Sequence, residues 1–141
     1  MKKIIWMALF IMCVGCQQTG NEESPVTTKT EEFEAGSFTM RGIPDRVAFI
    51  DAPWIEGKTQ KYMWHFWGSE EELKGAFKVT GTHTETGETV TVLETSEIAG
   101  PVNGADASLP SNMSLPKSGE WELDTRVDGE SFGTILVHVK E

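Results

Sequence analysis

His65, His83 and His138 are the side chains that could exchange a proton or hold zinc near neutral pH. Their spacing matches neither chemistry. Zinc sites commonly draw two ligands from within a few residues of each other, whereas these histidines are separated by long stretches of chain. His65 sits in a run of alternating aromatics and His138 in an apolar run, so partly buried structural histidines are expected. Asp45, Asp51 and Asp106 carry carboxylates suited to calcium, but no Asp-x-Asp-x-Asp-Gly loop gathers them. Hydrolytic chemistry has no clearer carrier. There is no His-Glu-x-x-His sequence, and Ser108, Ser111 and Ser114 fall in a loop with no base tied to them by a motif. Glu70, Glu71 and Glu72 read as a solvated turn rather than as two carboxyls held across a cleft. These residues imply no enzyme, no metal and no cofactor.

Binding chemistry has better candidates. Trp54 and Trp67 could stack on a sugar ring or anchor a protein interface. Trp67 falls on the opposite strand face from Trp64, and Trp54 follows Pro53 in an expected loop, so both are candidates for an exposed patch; Trp64 and Trp121 are expected in the core. About 19 residues from Gly100 to Ser118, rich in Gly, Pro, Asn and Ser, separate two strand regions. Loops this long in a compact domain are uncommon and often functional. Two readings stand: a crossover in which Leu109, Met113 and Leu115 close one end of the core, or a ligand-contacting loop with Asn103, Asp106 and Asn112 as polar contacts.

Both cysteines lie near the start of the chain. Lys2 and Lys3 precede the apolar run Ile4-Ile5-Trp6-Met7-Ala8-Leu9-Phe10-Ile11-Met12, and Val14-Gly15 precede Cys16. The run is too short to span a bilayer, which takes roughly 20 apolar residues. It resembles a lipoprotein signal peptide, with Gly15 as the small residue before the cut and Cys16 as the thiol that takes diacylglycerol. That resemblance implies removal of residues 1–15 and a lipid anchor holding the protein outside a bacterial cytoplasmic membrane. Two acyl chains anchor durably because each buried methylene contributes about 0.8 kcal/mol. With Cys13 removed and Cys16 lipidated, no thiol or disulfide remains. Losing Lys2 and Lys3 leaves 10 basic against 22 acidic residues, moving the formal charge from −10 to −12. An acidic surface disfavours nucleic acid and direct headgroup binding, both of which need basic clusters.

The elements that must position the candidates follow from periodicity. Residues 16–36 contain few sizeable apolar groups beyond Val26 and Phe33 and read as a lipidated cysteine with a flexible, disordered linker. Residues 37–141 are the size of one domain. Tyr62, Trp64 and Phe66 alternate on one strand face, and Trp121, Leu123, Thr125 and Val127 on another. Asp128-Gly129 supplies a tight hairpin turn before Ser131–Lys140. Further strands are expected at Ser37–Arg41, Val47–Asp51, Ala76–Thr82 and Thr89–Glu94, with one capped turn at Ser69-Glu70-Glu71-Glu72-Leu73. About seven short strands with Gly, Asp and Pro punctuation predict an all-β antiparallel β-sandwich.

The run Leu115-Pro116-Lys117-Ser118-Gly119-Glu120-Trp121-Glu122-Leu123, followed by Val127-Asp128-Gly129 and Phe132-Gly133-Thr134-Ile135-Leu136-Val137, resembles the closing hairpin of immunoglobulin-like domains in small secreted bacterial proteins. Together with Tyr62-Met63-Trp64-His65-Phe66-Trp67-Gly68 and Asn103-Gly104-Ala105-Asp106-Ala107, it is similar to uncharacterised Bacillus-type lipoproteins with a single such domain. The resemblance implies an immunoglobulin-like sandwich in which Trp64 and Trp121 replace the antibody-type disulfide. The expected function is a non-catalytic binding or accessory module at the bacterial cell surface. Its partner would be an envelope protein or inner-wall component within reach of a linker whose coil span is on the order of 25 Å. A carbohydrate-binding protein for wall polymers and a hydrolase with an unrecognised site are the alternatives.

Overall fold

The computed structural model describes residues 30–141. The signal segment, Cys16 and the linker as far as residue 29 lie outside the described residues. The strands are β1 (Glu31–Ala35), β2 (Phe38–Ile43), β3 (Val47–Ile50), β4 (Trp54–Ile55), β5 (Gln60–Phe66), β6 (Phe77–His83), β7 (Thr89–Thr95), β8 (Ala107–Met113), β9 (Gly119–Val127) and β10 (Glu130–Lys140). They form two five-stranded sheets, ordered β1-β2-β3-β5-β8 and β4-β10-β9-β6-β7. Neighbours are antiparallel except β4, which runs parallel to β10 through Trp54↔Val139 and Ile55↔Lys140.

Alternation decides which face of each strand is buried. On β9, Trp121, Leu123, Thr125 and Val127 are buried while Glu120, Glu122 and Arg126 face water. The β9–β10 turn needs two consecutive residues in the left-handed region, and Asp128 and Gly129 adopt φ 51° and 78°. A register shift at Ser131/Gly133 then restores pairing. Tyr62, Trp64 and Phe66 of β5 point into the space between the sheets. There Trp64 meets Phe49 and Phe77 edge-on, each with centroids 5.1 Å apart, and Trp54 stacks on Tyr62 at 4.3 Å. Each ring removes about 200 Å² from water, so a few kcal/mol of transfer free energy per aromatic holds the sheets together. On one side the β1–β2 hairpin curls around the edge of β10, giving a half-barrel outline. Leu136 N donates to Thr30 Oγ1 at 2.7 Å, and Arg46 lies 3.6 Å over the Phe132 ring while Nε donates to Phe132 O.

Three elements depart from the sequence expectation. The linker assigned to 16–36 ends early, because Glu31–Ala35 pairs in full register with β2. Its acids mask a strand whose one large apolar residue, Phe33, packs on Trp67. The expected loop 100–118 contains β8, which pairs with β5 over seven residue pairs. Pro110 hides it in the sequence, yet an edge strand tolerates proline because one side makes no ladder bonds. Finally, Trp54 is not in a loop. It forms the two-residue β4 and is 3% exposed. The strand total is accordingly ten among the described residues, against about seven expected.

Candidate functional site

β5 carries a second buried layer on its outer face. Ala48 of β3 stands opposite His65, and since Phe49 and Trp64 face the core, Ala48 and His65 face away from it. Both are fully buried, as is Met40, and none of these belongs to the intersheet cluster. The cover comes from the segment between β7 and β8 and from β1. Ala105 is buried, Asn103 Nδ2 donates to His65 Nε2 at 3.2 Å, and Trp67 lies against both His65 and Phe33 with centroids 6.2 Å apart. Nδ1 of His65 lies 3.2 Å from Met63 O. A neutral ring protonated on Nδ1 satisfies both contacts. Burial holds the His65 pKa below its ordinary value, a shift the Met63 bond opposes only in part.

Beyond this layer, at the end of the sheets, the β5–β6 turn faces the β7–β8 crossover. Ser69 caps the turn: Glu72 N donates to Ser69 Oγ at 3.2 Å and Leu73 N to Ser69 O at 3.1 Å. Arg46 pairs with Glu72 and holds its carboxyl below the usual range. Asp106 ties the two segments together by accepting from Gly68 N at 2.9 Å. Ala99 and Ser108 exchange backbone bonds of 2.8 and 3.2 Å. Gly75 packs so closely on the β9–β10 turn that a Cβ would come within 2.8 Å of Asp128 Cβ, at φ 119°. The result is a groove of two adjoining recesses, about 360 and 400 Å³, that share Leu73 and Ile98 as apolar floor.

Of the residues singled out in the sequence, Trp67, Asn103 and Asp106 converge at this end. Trp67 is half-buried rather than freely exposed, and Asn103 spends its amide on His65. Asn112 stands apart: it is exposed on β8 opposite Lys61, about 20 Å along the strand from Asp106. Trp54, expected in an exposed patch, is buried against Tyr62 and Phe49 because β4 pairs beside β10 and turns the ring into the core. The histidines scatter. His83 is buried, bonding Ser118 O and Thr86, whereas His138, expected to be partly buried, is exposed on β10. The residues missed are Leu73 and Ile98, single apolar side chains in polar segments that give no periodic signal.

The chain does carry one match to the Gly-x-Ser-x-Gly pattern of hydrolase nucleophiles, Gly129-Glu130-Ser131-Phe132-Gly133. That chemistry needs a strand-to-helix turn, whereas these residues form the β9–β10 turn and bulge. Ser131 is exposed and hydrogen-bonds no base among the described residues.

The geometry defines an all-β domain of two packed sheets, with a braced groove at one loop end. The chain belongs to the family described as a domain of unknown function, DUF4871, whose model matches residues 20–137. Its fold is similar to the crystal structure of a Bacillus anthracis protein described as a candidate lipoprotein. The likeness has a TM-score of 0.65 and 22% identity and covers 79% of this chain and 84% of that one. No curated protein matches the sequence.

Proposed function

We propose that the protein is a lipid-anchored, non-catalytic binding module outside a bacterial cytoplasmic membrane, with an immunoglobulin-like domain that engages an envelope protein through its loop end. The observation that carries this reading is the convergence of Trp67, Asn103 and Asp106 beside a groove whose walls are braced by hydrogen bonds before any ligand arrives.

The strand order supports the immunoglobulin-like reading. β5 and β8 take the places of strands B and E, β6, β9 and β10 those of C, F and G, and β7 that of C′. The first strand of such domains often splits between sheets, as β3 and β4 do around Pro53. The β5–β6 turn and the β9–β10 turn then fall at the end where variable domains hold antigen. The lipid anchor is supported by the Lys2-Lys3 start, the short apolar run and Gly15-Cys16, and by the description of the Bacillus anthracis protein. About 14 residues separate Cys16 from Thr30, so even full extension keeps the domain within about 50 Å of its lipid. A wall-glycan module would need an exposed aromatic platform, and Trp54, Trp64 and Trp121 are buried while Trp67 is half-covered.

Photo-crosslinking in living cells tests the reading. A probe at Pro101, on the rim of the groove, should give one dominant protein adduct, and a probe at Asn112 should not. Equal, diffuse adducts from both positions would overturn it.

A further inference from the structure

We infer that the loop-end groove takes an extended segment of a partner protein in which apolar side chains alternate with lysine or arginine; this rests on the binding-module reading above. The floor asks for apolar groups. Leu73 and Ile98 are half-buried, each packing one side on the core and leaving the other to the groove, and both line the two recesses. Two recesses in a row suit successive side chains of an extended segment better than one compact ligand.

The rim sets the charge of the occupant. Glu70, Glu97 and Asp106 line the groove against one cation, Lys74. None of the three acids forms an ion pair among the described residues, whereas neighbouring Glu72 is matched by Arg46. Asp128, packed on Gly75 at the far end, adds a further carboxylate. An acidic segment would meet like charge. A wholly apolar one would strip water from Glu70 and Glu97, and from the Asp106 oxygen that Gly68 N does not occupy, without replacing those partners. A segment with cationic residues on either side of its apolar ones satisfies both floor and rim. The walls are held by the Asp106–Gly68 bond, the Ser69 cap and the Ala99–Ser108 bridge, so little ordering is needed on binding.

The test uses the lipidated protein in nanodiscs of zwitterionic lipid and fluorescein-labelled peptides of equal length containing Lys-Leu-Lys-Leu-Lys, Glu-Leu-Glu-Leu-Glu or Lys-Ser-Lys-Ser-Lys. Anisotropy should show saturable binding of the Lys–Leu peptide, weaker by about tenfold or more for each of the others. Glu70→Lys with Glu97→Lys should weaken it by about tenfold or more, and Lys61→Glu, remote on β5, should leave it unchanged; thermal unfolding confirms that each variant is folded. Equal binding of the Glu–Leu or the Lys–Ser peptide, binding indifferent to the double charge reversal, or displacement of the Lys–Leu peptide by Ca²⁺ or by wall glycan fragments would overturn the inference. A dominant in-cell protein adduct from Pro101 combined with any of those results would keep the binding-module reading and remove this occupant from it.

Discussion

β5 builds two buried layers of opposite character. Its inward residues Tyr62, Trp64 and Phe66 enter an aromatic core whose contacts are nearly all apolar, while His65 on its outward face sits in a small layer with polar contacts on both ring nitrogens, Asn103 and Met63 O, and the Trp67 ring beside it. Both layers exclude water, yet they are stabilised differently. The core gains by area, so its loss is large and insensitive to pH. The outer layer depends on the protonation state of one imidazole and on a segment that also forms the groove wall. Apolar area holds the sheets together, whereas a few specific polar bonds hold the layer beside the candidate site.

Substitutions should separate the layers, beginning with the largest effect. Trp64→Ala should cost about 3–5 kcal/mol in chemical denaturation, the range for deleting a fully buried aromatic. Trp67→Ala should cost clearly less, since the ring is only half-buried; equal losses would erase the distinction. Gly75→Ala should destabilise by roughly 1–3 kcal/mol, because it places a side chain at φ 119° against Asp128. Asn103→Ala should cost about 1 kcal/mol and leave His65 Nε2 without its donor.

The pH response sharpens the contrast. The pKa of His65 is lowered by folding, so the unfolded chain binds its proton more readily. The stability it contributes is present above the ordinary histidine pKa of about 6.5 and is lost as pH falls from there toward the lower folded value. The denaturation midpoint should therefore drop as pH is lowered from 7 to 5, and His65→Gln should flatten that drop. Glu72, lowered by Arg46, begins to lose its contribution only below the ordinary glutamate value of 4.5, so its loss sets in further into acid than that of His65. The smallest effect on stability is expected from Glu97→Lys, within about 0.5 kcal/mol, as for an exposed residue outside any network. If that change unfolds the domain, the rim is structural rather than a binding surface.

How much was legible follows from the range of each signal. β5, β9 and β10 were readable because alternation and the Asp128-Gly129 turn are local. The Ser69 cap was readable for the same reason. β8 was concealed by Pro110 and by surrounding Gly and Asn, and only its place at a sheet edge explains why proline is accepted. β1 was concealed by three glutamates, which suit an edge strand exposed to water. Trp54 was misplaced because a two-residue parallel strand has no periodicity. The site was legible only in part. Asn103 and Asp106 stood out as loop polar residues, but their partners His65 and Gly68 lie 38 residues away, a pairing no local pattern carries.

The loop end is proposed to bind a partner through its apolar floor and acidic rim. In-cell photo-crosslinking from Ile98 tests it most directly, comparing the natural rim with Glu70→Lys/Glu97→Lys at equal surface level. One dominant protein adduct that disappears on charge reversal and persists in Lys61→Glu is the predicted result. An adduct unaffected by the reversal, or one obtained from Asn112 and not from Ile98, would contradict it.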